Sequence, residues 1–317
     1  MVDLSTQLGP LRLAHPLVNG SGTLELLDLA EAVDERVVED LPVAAYVPKT
    51  ITPEPRIGNP PPRILETPAG MINAIGLPGE GLKTFVAESL PRLLALPCPL
   101  ILSVGGFSAS DYVIMAAGFR QALDIAADAE WTKRVGLELN ISCPNVHSGC
   151  ASIGSDPEET ARVVDAVRGT WPGLLVAKLT PNVTDIVAIG QAAEKAGADA
   201  VAAVNTFKGL VLDRDSLKPY LGNITGGLSG PAIKPLALRM VYELYEGLTV
   251  PIIGMGGVAT VEDVLEFIAC GATVVAVGSA GFQDQNRPRC LAGELGQRLH
   301  DRGLELKGLL GCAHRQD

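Results

Sequence analysis

Lys49 and Lys178 each stand at the end of a short apolar run, and so do Asn19, Asn140 and Asn205. Ammonium groups and side-chain amides supply the donors and acceptors that grip a small polar ring or a carboxylate. Lysines are rarely buried without a partner, so two of them at run ends call for one. Ser21, Thr50, Ser103, Thr206 and Ser279 end runs in the same way. Any one of these alone reads as strand-end capping; their convergence reads as a site. A thiol stands beside the set. In "GLELNISCPNVHSG" (136–149), Cys143 follows Asn140 and Ser142 and precedes Pro144 and Asn145. A thiol in such a place can serve as a nucleophile or as a general base. A cysteine nucleophile calls for a histidine; His147 is near, yet no triad pattern accompanies it. The residues alone leave both uses open.

Glycines mark a second chemistry. "IIGMGGVATVEDV" (252–264) and "VVAVGSA" (274–280) place Gly256, Gly257 and Gly278 at run ends, next to Ser279. Bare backbone there lets N–H groups approach an anion beside helix starts. The spacing is neither a Walker nor a Rossmann pattern, so it supports a phosphorylated ligand and no more.

The elements that must position these residues follow from the apolar runs. Candidate strands are 16–22, 43–49, 99–106, 136–142, 174–180, 200–206, 251–257 and 273–279. Most are rich in Val, Ile and Leu without alternation, as in parallel strands covered on both faces. Helical patterns lie between them at 157–168, 183–196, 231–247 and 260–270. About eight strands in βα alternation predict an α/β fold of the (β/α)8 TIM-barrel kind. A doubly wound open sheet is the alternative, disfavoured by the strand count and by the lack of a GxGxxG after the first strand. One domain is expected over 1–317, with an N-terminal hairpin in 1–15 and a C-terminal tail from about 304. Two connections, 50–80 and 207–230, exceed what a barrel needs. Both follow strands, so both lie over the C-terminal face, where long rim loops carry sites.

Composition bounds the function. Lys and Arg number 25 against 36 Asp and Glu, a net charge of −11, which argues against a nucleic-acid partner. No apolar run reaches the length of a membrane span. The opening residues have neither the basic nor the apolar part of a signal peptide. Six dispersed cysteines with no CxxC provide no visible metal or cluster ligand set and fit a reducing, cytoplasmic setting. Cys98, Cys270 and Cys290 read as inert small hydrophobes, and Cys150 and Cys312 as incidental.

Six stretches carry a resemblance: "KTITPEPRIGNPPPRILETPAGMINAIGLPG", "NISCPNV", "KLTPNVTDI", "AVNTFKG", "NITGGLSGPAIKP" and "IIGMGGV". In this order they resemble the class 1 dihydroorotate dehydrogenases, from about Leu4 to beyond residue 300, and most closely the class 1B catalytic subunit. The resemblance implies a barrel that binds one FMN per chain and oxidises dihydroorotate to orotate in pyrimidine (UMP) biosynthesis. Cys143 matches the base that removes the C5 proton while a hydride leaves C6 for flavin N5. In the membrane-bound class 2 enzymes a serine stands there. Lys49, Asn73, Ala74, Ile75, Gly76, Leu77, Asn140, Asn145, Asn205 and Thr206 match the substrate cradle. Ser21, Lys49, Thr50, Ser103, Asn140, Lys178, Val204, Gly230, Gly256, Gly257, Gly278 and Ser279 match the FMN site, with Lys178 steadying the reduced ring. Two departures stand out: Ser103 replaces a common asparagine, and Lys208 occupies an unusual place in "NTFKG".

The resemblance also implies partners. A homodimer is expected, joined in a heterotetramer by an iron–sulfur flavoprotein subunit that carries FAD and a 2Fe–2S cluster and passes electrons to NAD+. The alternatives are a class 1A-like enzyme using fumarate, or another FMN barrel acting on dihydropyrimidines. A flavin-binding barrel without turnover is disfavoured by the joint presence of Lys49, Asn140, Cys143 and Lys178.

Overall fold

A computed structural model describes residues 2–32, 38–126, 130–142 and 153–315. The strands among these residues are β1 (Thr6–Leu8), β2 (Leu11–Leu13), β3 (Leu17–Asn19), β4 (Ile64–Thr67), β5 (Gly70–Asn73), β6 (Leu100–Val104), β7 (Val135–Asn140), β8 (Leu175–Lys178), β9 (Ala200–Ala203), β10 (Phe207–Leu210), β11 (Thr225–Ser229), β12 (Ile252–Met255) and β13 (Ala272–Val277). Seven of them form a parallel sheet in the order β3-β13-β12-β9-β8-β7-β6. Its two edges are joined by residues 44–51. Ala44 N donates to Leu17 O at 3.0 Å on one side, and on the other Tyr46 N donates to Pro99 O and Ile101 N to Tyr46 O, both at 2.9 Å. Ile51 N then donates to Ser103 O at 2.9 Å. The ring closes with eight staves, the barrel that the sequence predicts, and each stave overlaps one of the eight apolar runs.

Closure at the β3 edge uses a side chain. Asn19 donates through Nδ2 to Val47 O at 2.7 Å and accepts from Val47 N at 2.9 Å. Its amide stands in for a peptide group, which is why a buried asparagine ends an apolar strand here. Of the three asparagines expected to converge, this one is structural.

Alternation along each strand sorts residues between two cores. Ile101, Val176, Ala200, Ala202, Ile253, Val274 and Ala276 pack inside the barrel with Leu8, Leu11 and Leu13. Those three leucines come from the antiparallel β1–β2 hairpin, which plugs the floor as expected from the N-terminal sequence. Leu100, Leu102, Leu137, Leu139, Ala177 and Val275 point outward beneath the helices.

The helices start where polar caps satisfy their free N–H groups. Asp156 accepts from Glu158 N and Glu159 N at the head of Pro157–Arg168, and Asp185 accepts from Ala188 N at the head of Ile186–Lys195. Thr260 and Asp263 form a capping box on Val261–Ala269. The predicted 231–247 begins with a short 3-10 turn, Pro231–Ile233, before Lys234–Gly247. No helix of the described residues is long and apolar enough to cross a membrane.

The two long connections are not simple loops. They contribute β4, β5, β10 and β11 to one antiparallel sheet, ordered β10-β11-β5-β4, over the C-terminal face. Ile72, Ala74 and Leu221 give it a small core of its own. A second correction concerns the thiols. Cys98 is buried, but Cys290 is exposed on the helix Arg287–Arg302 and is no core hydrophobe.

Candidate active site

The C-terminal end of the barrel encloses a cavity of about 330 Å³, within the usual range for small-molecule sites. Strand register brings its polar floor together. Ser103 of β6 lies opposite Glu138 of β7, and Asn140 lies opposite Lys178 of β8. Ser103, Glu138, Asn140 and Lys178 share the inward face, two residues above Ile101 and Val176 in the barrel core. All four are buried.

These groups form one hydrogen-bonded set. Ser103 Oγ donates to Glu138 Oε1 at 2.9 Å and lies 3.0 Å from Thr50 Oγ1. Asn140 Nδ2 donates to Thr50 Oγ1 at 3.0 Å. Asn205 Nδ2 donates to Ser142 Oγ at 2.8 Å and lies 3.4 Å from Asn140 Oδ1. Lys178 Nζ is 3.8 Å from Glu138 Oε1, an ion pair inside the barrel. Ser21 Oγ donates to Pro48 O at 2.8 Å, beside Thr50. Buried polar groups persist only when satisfied in this way.

Lys49 is positioned by a glycine. A Cβ on Gly22, whose φ is +71°, would stand 2.9 Å from Lys49 Nζ. Lys49 lines the cavity and also borders a second cleft that contains Glu25. Burial pushes the Glu25 carboxyl above the ordinary range, the Lys49 charge pulls it back, and Asp28 adds to the rise.

The far wall is bare backbone. Gly230, Gly256 and Gly257 line the cavity with φ of +97°, +129° and +81°. A Cβ on Gly278 would meet no protein atom within 4 Å. Ser279 adds a hydroxyl beside it. The rim sheet forms the lid side through Met71, Asn73 and Ser229, with Ile75, Gly76 and Leu77 following. Gly227 of β11 packs so tightly on Thr206 that any Cβ there would overlap the threonine hydroxyl.

Most positions singled out in the sequence therefore border one cavity: Ser21, Lys49, Thr50, Asn73, Ile75, Gly76, Leu77, Asn140, Lys178, Val204, Asn205, Thr206, Gly230, Gly256, Gly257, Gly278 and Ser279. Two described positions do not line it. Ala74 is fully buried, with its N–H donating to Arg63 O at 2.7 Å. Ser103 is fully buried behind Thr50. Lys208, on β10, is exposed, and its backbone N–H donates to Asn182 Oδ1 at 2.8 Å.

The dihydroorotate dehydrogenase family profile matches residues 3–299. The chain belongs to the dihydroorotate dehydrogenase family. Among curated relatives, it is 42% identical over 99% of its length to a protein of Desulforudis audaxviator, 98% of which is covered, named dihydroorotate dehydrogenase B (NAD(+)), catalytic subunit. Proteins of the same name from Trichlorobacter lovleyi and Listeria monocytogenes are 42% and 41% identical over 98% and 96% of this chain, with 98% and 96% of their own lengths covered. The family match takes in the barrel, the floor hairpin and the rim sheet, and ends within the helix Arg287–Arg302.

For a dihydroorotate dehydrogenase family member the notable addition is Glu138. The sequence reading passed over it as part of a strand. The signal was there: in "GLELN" a carboxylate stands two residues before Asn140, on the same face of a strand otherwise buried on both sides. Such a charge requires a partner. Cys143 and Asn145 lie outside the described residues, as does His147.

Proposed function

We propose that this protein oxidises dihydroorotate to orotate in de novo pyrimidine (UMP) biosynthesis, as the FMN-binding catalytic subunit of an NAD-linked enzyme. The observation that carries the reading is the convergence of Lys49, Asn73, Asn140, Lys178, Asn205 and Thr206 on one cavity, in a chain matched to the family over residues 3–299.

The cavity suits FMN by its chemistry. A phosphate needs bare backbone and hydroxyls, which Gly230, Gly256, Gly257, Gly278 and Ser279 offer on one wall. A flavin ring that becomes anionic on reduction needs a nearby cation, which Lys178 offers from the floor. Bound FMN would supply the hydride acceptor for C6 of dihydroorotate. Cys143 would take the C5 proton as general base. Asn73, Asn140, Asn145, Asn205 and Thr206 would hold the ring's imide groups and carboxylate, and Lys49 would offset the carboxylate's charge. The segment 73–77 closes the cradle, with Ala74 contributing through packing.

The names of the relatives support a division of labour, since each is a catalytic subunit of an NAD(+)-linked enzyme. The chain would act as one barrel domain in the cytoplasm, paired as a homodimer and joined in a heterotetramer by a flavoprotein subunit carrying FAD and a 2Fe–2S cluster.

The test is anaerobic. Purified protein mixed with dihydroorotate should lose its visible flavin absorbance. A dihydropyrimidine lacking the carboxylate should leave it unchanged. Bleaching by the second compound and not the first would replace this reading with that of a dihydropyrimidine-acting barrel. Addition of the iron–sulfur flavoprotein subunit should then let NAD+ restore the colour; recovery with fumarate alone would assign the other electron route.

A further inference from the structure

Glu138 is a carboxylate inside a barrel, in a position where an unpaired charge is not tolerated. The same oxygen, Oε1, accepts from Ser103 at 2.9 Å and faces Lys178 Nζ at 3.8 Å. A carboxylate only accepts hydrogen bonds. Ser103 must therefore spend its one proton on Glu138 and can only accept from Thr50, 3.0 Å away. Ser21, 3.1 Å from Thr50 on its other side, has likewise spent its proton, on Pro48 O, so the Thr50 proton faces two acceptors and Thr50 accepts from Asn140 Nδ2 at 3.0 Å. The direction of the chain is set at two ends, by the Glu138 carboxylate through Ser103 and by the Pro48 carbonyl through Ser21. It also decides an amide orientation that geometry alone leaves to inference. Asn140 presents its nitrogen to Thr50 and its oxygen to Asn205 and Ser142.

We infer that Glu138 is a positioning residue for the reaction: it holds the Lys178 ammonium at the cavity floor and, through Ser103, acts with Ser21 to keep Thr50 turned as the acceptor that fixes which way Asn140 faces the substrate. The inference rests on the functional reading above and extends it to a residue outside the cavity lining. It also gives the serine at 103 a role that a short side chain can fill. At that position the side chain spans the gap between Thr50 and Glu138 and has no need to reach the cavity.

Two variants separate the two arms. Glu138→Gln removes a negative charge beside Lys178 while keeping shape. The remaining positive charge should favour the reduced flavin, so the midpoint potential of bound FMN should move in the positive direction. Ser103→Ala removes no charge but cuts Glu138 off from Thr50, leaving Ser21 alone to orient it. It should leave the potential at the wild-type value and weaken orotate binding by several-fold to about tenfold, read as the Kd from flavin absorbance changes on titration. Melting curves and FMN content of both variants should stay near wild type. An unchanged potential in Glu138→Gln, or an unchanged orotate Kd in Ser103→Ala, overturns the inference. Should Glu138→Gln fail to fold, Ser103→Ala decides alone. Wild-type protein that takes up no FMN or orotate would count against the functional reading; wild-type binding with indifferent variants counts against this inference only.

Discussion

The cavity floor places two cations, Lys49 and Lys178, and two amides, Asn140 and Asn205, within one small volume. Such a set offers donors and acceptors to a polar ring. Under the proposed function the deprotonation step is assigned to Cys143, three residues beyond Asn140 in the chain. Cys143→Ala should bind FMN and orotate as wild type does, yet reduce the flavin with dihydroorotate about 10²–10⁴-fold more slowly, as followed by stopped-flow absorbance. Cys143→Ser should also be slow, because a hydroxyl is a far weaker acid than a thiol. Full activity in either variant at neutral pH would move the base elsewhere. The described thiols, Cys98, Cys270, Cys290 and Cys312, do not line the cavity. Burial pushes Cys98 up to about 12, leaving it a packing group.

Elements decide whether these residues meet, and here legibility in the sequence divides sharply. The parallel strands were readable because both faces are covered, so apolar residues fill most positions on both faces of β6, β8 and β13. Strands β10 and β11 were not, because Gly209, Gly226 and Gly227 break their pattern and glycine ordinarily weakens a strand. The glycines serve close approach: Gly227 admits Thr206, and Gly226 would push a Cβ to 2.6 Å from Asn73 O. Gly227→Ala should displace Thr206 and raise the KM for dihydroorotate more than it lowers kcat, in steady-state assays of the assembled enzyme; an unchanged KM would show that the rim sheet does not shape the cradle. Helix starts were legible through their caps, and one of them has a measurable pH signature. Burial alone would raise the Asp263 carboxyl. Its bonds to Lys234 and to the N–H groups of Ala259 and Thr260 outweigh that and hold it below the ordinary range. Folding thus favours the ionised form. The stabilisation is complete above the unfolded pKa of about 3.9 and is lost as pH falls through the lower folded value. Asp263→Ala should cost about 1–2 kcal/mol at pH 7 in denaturant unfolding. The gap from wild type should narrow at the acid end; a gap that persists there would assign the effect to packing.

At the scale of the molecule, the barrel separates stability from chemistry. One end is closed by the β1–β2 hairpin, whose Leu8, Leu11 and Leu13 are fully buried against Ile101, Val176 and Val274. The other end carries the cavity and the rim sheet. Between them lies a packed apolar layer that includes Ile101, Val176, Ala202, Ile253 and Val274. The sequence made this division readable at the strand ends, since polar residues or glycines follow most of the apolar runs. It hid the coupling across strands, because Glu138 and Ser103 become neighbours only through register. A substitution at the plugged end should therefore change stability and spare the site. Leu11→Ala removes a side chain with no exposed surface and should cost about 2–5 kcal/mol. With a melting-temperature shift of roughly 2–4 °C per kcal/mol for a chain of this size, the variant should melt well below wild type. Its orotate Kd and flavin potential, measured below the onset of unfolding, should match the wild-type values. A matched loss of orotate affinity would mean that the floor transmits strain through the packed layers to Lys178 and Asn140, and that the two ends of the barrel are coupled.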